Sequence, residues 1–351
     1  MEDGTALAIE RTDNGAQYGA TLRQLEASKK MPRPLGQTLA FLTIAAGCAK
    51  PAEDPNGRLA HERRSPSEPP LARQVTYLGD LHQPESVKYD AEQDVFFISN
   101  MVGSGSDRDA NGYIIRVNAG DLATAEVFAE SGKDGVVLDA PKGMTIHGDT
   151  LWICDIDKLR GLSRTTGLPL ATIDFAPLGA VLLNDVTIGG DGAIYITDTG
   201  ILMTPKGVLY PGGDRVFRVK DGAPSVFAAG EILGRPNGIV WDKDGKRLVV
   251  ASFDTFRSEL YTVAEGGERR LLAEGKGRFD GVEPLGKGLF MVASWNDSSV
   301  RLLGNGRSER IADKVMQPAD IGFDTRRNRL AIPVGPLNQM QLWQLPASLS
   351  N

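Results

Sequence analysis

The chain has 351 residues, of which 39 are Lys or Arg and 45 are Asp or Glu, for a formal net charge of −6. That acid excess, with no block of basic residues in the body of the chain, excludes nucleic acid as a partner, because phosphate binding needs a basic face. Charged residues at 24% and hydrophobic residues at 41% describe a globular domain, and 41 Gly with 20 Pro describe one with many tight turns.

The first part of the chain differs from the rest. Lys29, Lys30 and Arg33 precede the apolar run Leu39-Ala40-Phe41-Leu42-Thr43-Ile44-Ala45-Ala46, which ends at Gly47-Cys48. A basic start, a short apolar run and small residues describe an export signal, because a membrane span needs about 20 apolar residues. Ala45-Ala46-Gly47-Cys48 is similar to a bacterial lipoprotein box, which makes Cys48 the expected lipidation site and Met31 the natural start of such a signal. Residues 1–48 are therefore expected to be an upstream segment and leader. Residues 49–71, rich in Pro and charge, are expected to be a disordered tether. The expected location is the periplasm or envelope of a bacterium, with a lipid anchor to the membrane surface.

From residue 72 to 351 the sequence repeats itself. Six short steps, Pro84-Glu85-Ser86, Pro141-Lys142-Gly143, Leu183-Asn184-Asp185, Pro236-Asn237-Gly238, Phe279-Asp280-Gly281 and Pro318-Ala319-Asp320, each precede a short apolar strand pattern. Each is followed by a Gly- or Asp-rich turn and a second apolar run, such as Val95-Phe96-Phe97-Ile98 or Ile194-Tyr195-Ile196. Third strands are expected at Tyr113–Val117, Arg215–Val219, Leu260–Val263 and Val300–Leu303, and fourth strands near Ala125, Ser225, Arg270 and Glu309. A repeat of roughly 40 to 55 residues with several strands in each unit predicts an all-β fold, a six-bladed β-propeller. The last repeat ends after its third strand, Gln341–Leu345, while Arg73–Leu78 has no blade of its own. The two are expected to pair and close the ring.

In such a ring the residues that open each innermost strand face one mouth of the central channel. They are Glu85, Lys142, Asn184, Asn237 and Asp280, with Asp185 and Asp320 one step along. Two carboxylates and two carboxamides offer only oxygen, which suits a hard cation, Ca²⁺ above all. Neither Cys nor His falls at these positions, which argues against Zn²⁺. Cys154, in an apolar run, is expected to be a plain core residue, and His82 is the histidine closest to the mouth. Asp155, Asp198, Asp254 and Trp295, at the ends of second strands, are candidates for lining a substrate pocket, with strand termination the alternative.

Pro84-Glu85, Leu183-Asn184-Asp185, Pro236-Asn237-Gly238-Ile239-Val240-Trp241 and Phe279-Asp280-Gly281 resemble the metal-site motifs of the gluconolactonase, regucalcin (senescence-marker protein) and luciferin-regenerating-enzyme-like family of six-bladed propellers. The resemblance covers roughly the whole repeat region. It implies Glu85, Asn184, Asn237 and Asp280 as holders of a divalent cation and hydrolysis of a small lactone or ester. In that chemistry the cation polarises the carbonyl and Asp280 accepts a proton from the attacking water. Lys142, Asp185 and Asp320 are then expected to meet the substrate. Lys142 departs from the pattern: its ammonium could pair with Glu85, bind an anionic substrate or take the place of the metal. The last case leads to the competing reading, a non-catalytic propeller that presents this face to a protein or envelope ligand.

Overall fold

The second strand of each blade is apolar without alternation, and the reason is position. Val95–Asn100, Arg247–Ser252 and Leu289–Ser294 are buried at every residue but the first, because each sheet has a neighbour on both of its faces. The computed structural model describes residues 72–204 and 207–349. Within them six four-stranded antiparallel sheets form the blades of a propeller, and no α-helix occurs among the described residues. The proposed leader, Cys48 and the tether lie outside the described residues.

Blade 1 runs Pro84–Asp90, Val95–Asn100, Tyr113–Asn118 and Ala125–Glu130 from axis to rim. Blade 2 is Pro141–His147, Thr150–Asp155, Lys158–Ser163 and Pro169–Asp174. Blade 3 is Leu183–Ile188, Ile194–Asp198, Arg215–Lys220 and Ala223–Ala229. Blades 4 and 5 open at Pro236–Asp242 and Phe279–Gly286 and repeat the order. Blade 6 has only Gly322–Asp324 at the axis, then Arg329–Val334 and Gln339–Gln344. Its outermost place is filled by Arg73–Leu78, antiparallel to Gln339–Gln344, with Arg73 opposite Gln344 and Leu78 opposite Met340. At the axis, the Asp320 amide donates to the Glu85 carbonyl (2.9 Å) and the Val87 amide to the Asp320 carbonyl (3.1 Å), joining blade 6 to blade 1.

Apolar side chains fill the spaces between blades. Phe97, Ile114, Met144 and Ile153 lie between blades 1 and 2, and Val87, Phe96, Ala331 and Leu342 between blades 1 and 6. Cys154 is fully buried in such a layer, beside Phe175 and Phe217. Acidic residues hold the turns at the far end: Asp90 Oδ1 accepts the amides of Glu92 (2.9 Å) and Gln93 (3.1 Å), and Asp324 does the same for Arg326 and Arg327.

The innermost strands share one irregularity. Register shifts fall between Pro84 and Val87, Pro141 and Met144, Leu183 and Val186, Pro236 and Ile239, and Phe279 and Val282. A bulge re-aims side chains and bends its strand, so the two residues after each opening residue leave the regular pleat. It also brings inner strands close together. A Cβ on Gly281 would lie 2.5 Å from Asp320 Cα, and one on Gly322 would lie 2.5 Å from the Val87 carbonyl oxygen.

Two features depart from the sequence pattern. Blade 6 does not start its inner strand at Pro318; Pro318 makes only an isolated bridge to Val334, and the strand begins at Gly322. A short hairpin, Leu202–Thr204 with Gly207–Leu209, is inserted between the second and third strands of blade 3, where no strand is expected. Because only a hydrogen fits at Gly322, Gly322→Ala should destabilise the domain by about 1–3 kcal/mol. A lower urea midpoint with unchanged slope would show it; an unchanged midpoint would mean that the inner strands are not in tight contact.

Candidate functional site

Each bulge turns the second residue of its step toward the mouth of the channel. Glu85, Lys142, Asn184, Asn237, Asp280 and the small Ala319 line one cavity of about 450 Å³. All six are buried, with exposures of 8%, 1%, 6%, 3%, 3% and 6% in that order. Lining the cavity above them are residues that follow second strands, among them Met101, Ile201, Met203, Phe253 and Trp295.

Four of these residues have an oxygen without a partner. Glu85 Oε2, Asn184 Oδ1, Asn237 Oδ1 and Asp280 Oδ1 are buried acceptors that receive no hydrogen bond from the protein. A buried acceptor left unpaired costs about 1–3 kcal/mol, so four in one cavity call for an occupant. Water could donate to each of them, but water would leave two buried carboxylates uncompensated. A hard divalent cation meets both needs, and the donor set fits one. Two of the oxygens are amides, and the described residues hold no group of three or more His, Cys, Asp or Glu that could by themselves hold a metal ion.

Electrostatics point the same way. Burial pushes the Glu85 carboxyl well above the usual range, Asp280 and Asp320 push it further, and Lys142 only partly offsets them. Burial and then Asp320 likewise raise Asp280, while Trp295 works against the rise. The Trp295 indole is near enough to influence Asp280, yet its N–H completes no hydrogen bond and remains a buried donor without a partner.

Lys142 does not occupy the place of a cation. Its ammonium donates to the carbonyl oxygens of Gly105 (2.7 Å) and Ala140 (2.8 Å), and among the described residues no ion pair joins it to a carboxylate. Burial lowers its pKa against the pull of Glu85. It lines the cavity, and its charge is spent on the backbone.

Asp185 and Asp320, expected to meet the substrate, do not line the cavity. They lie on the third residue of their steps; the bulge between Leu183 and Val186 sends Asp185 away from the cavity, and Asp320 is held by its backbone bonds to Glu85 and Val87. Asp185 accepts the amides of Val186 and Ile239, both at 2.7 Å, and burial pushes its pKa up to about 7. Asp320 accepts from Ser86 Oγ at 2.5 Å. Below them Lys88 pairs with Glu283 at 3.1 Å, and although burial opposes its charge, Glu283, Asp320 and Asp185 hold its pKa high.

The second-strand ends divide. Trp295 lines the cavity, whereas Asp155 accepts the amides of Asp139 and Ala140, Asp198 those of Val181, Leu182 and Gly200, and Asp254 those of Phe256 and Arg257. These three hold turns. His82 is exposed, outside the cavity, with Nδ1 at 2.7 Å from the Tyr113 hydroxyl. The apolar wall escapes motif reading because it has no motif. Its one signal is apolar residues, Met101 and Met203 above all, in connections between strands of the repeat where polar ones are usual.

No family model matches the sequence, and no curated protein matches it. Solved structures do match. A gluconolactonase of Xanthomonas campestris is 19% identical, with 80% of this chain and 98% of that one covered and a TM-score of 0.57. A luciferin-regenerating enzyme is 13% identical over 78% of this chain and 94% of its own, at 0.58. Regucalcin of Agrobacterium tumefaciens, a calcium-binding protein, is 15% identical over 79% and 94%, at 0.54. At these identities the likeness is one of fold, the six-bladed propeller.

The raised carboxyls have a consequence for stability. A carboxyl whose pKa is higher in the folded chain than in the unfolded one keeps its proton longer when folded, so stability falls as pH rises from the unfolded value toward the folded one. In the presence of chelator, the melting temperature of the domain should therefore fall as pH rises above the ordinary carboxylate range of about 4. Glu85→Gln and Asp280→Asn should each flatten that fall in scanning fluorimetry. A cation-free melting temperature that rises with pH above that range would contradict the reading of the site.

Proposed function

We propose that the chain is a divalent-cation-dependent hydrolase of small lactones or esters, acting at the mouth of the central channel. The observation that carries this reading is the set of four donorless oxygens on Glu85, Asn184, Asn237 and Asp280. These four residues would hold the cation, and calcium is the ion best suited to an all-oxygen set. Bound there, it would supply Lewis-acid polarisation of a carbonyl oxygen.

The chain's own groups supply the rest. Asp280, raised by burial and by Asp320, is a carboxylate with an affinity for protons above the ordinary. It accepts a proton from the attacking water as the water oxygen bonds to the acyl carbon, and returns it to the oxygen released when the acyl C–O bond breaks. One lactone and one water give one hydroxy acid. The buried Trp295 N–H is free to donate to a substrate oxygen. The gluconolactonase neighbour is consistent with a lactone substrate, and the calcium-binding neighbour with the choice of ion.

The competing reading, a non-catalytic propeller, drew its force from Lys142 filling the site. With that ammonium bound to Gly105 and Ala140, the oxygens face open space.

Purified domain should bind calcium in calorimetry and hydrolyse members of a lactone and aryl-ester panel in a chelator-sensitive way. Asp280→Asn should lower kcat by about a hundredfold or more, and Glu85→Gln should chiefly weaken calcium binding. Absence of both calcium binding and chelator-sensitive hydrolysis would sink the proposal.

A further inference from the structure

The hydrolase reading leaves the nature of the substrate open, and the wall of the cavity bears on it. Besides the oxygen set, the lining holds Met101, Leu182, Ile201, Met203, Phe253 and Trp295. Phe253 and Trp295 meet edge to face with centroids 4.9 Å apart and form one aromatic surface. The two methionines face each other across the blade 1 loop, so that a Cβ on Gly105 would lie 3.0 Å from the Met203 sulfur and 3.4 Å from that of Met101. Thioether side chains adapt to ligands of varied shape.

Polar groups in the same wall are already in use. Thr199 Oγ1 donates to the Pro236 carbonyl (2.9 Å), Ser104 Oγ to the Met203 carbonyl (3.4 Å), and Lys142 to two carbonyls. Gln83 and Gln317 are exposed residues of the lining. Among the described residues that leaves the Trp295 N–H as the unpaired interior donor of the wall, with the Asn184 and Asn237 carboxamides below it. A polyhydroxylated ring packed on this wall would set hydroxyls against side chains that offer them no partner, whereas an alkyl or aryl group would be covered by it. Among the described residues Lys142 is the one cation in the lining, and its ammonium is committed to the backbone, so that an anionic substrate would face carboxylates without a free counter-charge from them.

Resting on the hydrolase reading, we infer that the substrate is a neutral lactone or ester bearing an apolar alkyl or aryl group, which packs on the Met101, Met203 and Phe253 wall, and not a polyhydroxylated sugar lactone. The reaction is unchanged: water adds to the acyl carbon and the ring or ester C–O bond opens.

Two measurements test this and separate it from the reading beneath it. In the first, calcium-loaded domain is assayed on γ-lactones with side chains from none to octyl and on an aldono-γ-lactone. The value of kcat/KM should rise about fourfold for each of the first few methylenes, and the polyol should be slower by about a hundredfold. Calcium-dependent hydrolysis with the polyol equal or faster keeps the hydrolase and overturns the inference.

In the second, a non-hydrolysable alkylcyclopentanone is titrated while tryptophan fluorescence is followed. Saturable quenching is expected, weakened about tenfold or more in Met203→Glu, with Ile201→Ser as a milder second variant and melting curves to confirm folding. If the ketone binds in this way but no lactone or ester is cleaved, the hydrolase reading falls and the apolar pocket stands. If the ketone does not bind, or binds both folded variants as tightly as the parent, the inference falls.

Discussion

Four oxygen atoms without donors govern this molecule. Nearly all buried polar groups in folded proteins find a hydrogen-bond partner, and at about 1–3 kcal/mol each, four exceptions in one cavity approach the about 5–15 kcal/mol by which a domain is usually stable. Two of the four belong to carboxylates, Glu85 and Asp280, whose burial raises their proton affinity. The propeller holds them there because the cores between blades are extensive and closed, with Val87, Phe97, Val292 and Leu302 fully buried. Structure elsewhere thus bears an unfavourable arrangement at the axis that an occupant would relieve.

The layer beneath makes the contrast. Ser86, Asp185 and Asp320 are equally buried, yet each has a partner: Ser86 donates to Asp320, and Asp185 takes two backbone amides. Lys88 and Glu283 pair below them. One channel therefore contains a self-satisfied polar layer and, one residue earlier in each strand, an unsatisfied one. Burial alone does not explain the difference, since both layers are buried. A layer that folds for its own stability satisfies itself; a layer that serves a ligand waits for it.

The blades and the oxygen set were legible in the sequence because both recur with the repeat. Pro236-Asn237-Gly238 taken alone is a turn; beside Pro84-Glu85 and Phe279-Asp280-Gly281 it becomes a position in a ring. What does not recur was not legible. Aligning the steps puts Asp185 and Asp320 at the mouth, but in five blades a bulge separates residues two and three of the step, and in the sixth the step lies ahead of the strand. The direction of Lys142 depends on the Gly105 carbonyl, which belongs to a loop of another blade. The hairpin at Leu202–Leu209 interrupts the repeat and has no counterpart from which to read it.

The two blades that break the oxygen set are also the ones that give the site its shape. A ring of six equivalent acceptors would be symmetric about the axis and would favour no orientation of a bound molecule. Ala319 leaves a gap between Asp280 and Glu85, where the lining passes to Gln317, Gly335 and Pro336. Lys142, on the other side, has its ammonium tied to the loop that contains Met101 and Ser104, and that loop in turn is joined to the blade 3 hairpin, where Ser106 Oγ accepts the Met203 amide at 3.0 Å. A buried lysine thereby fixes the apolar wall in place while the four neighbouring blades face the same cavity with oxygen. Oxygen acceptors together with thioether and aromatic surface in one cavity make it unequal in its directions. The departure from the repeat at Lys142 is how a six-fold frame acquires that inequality.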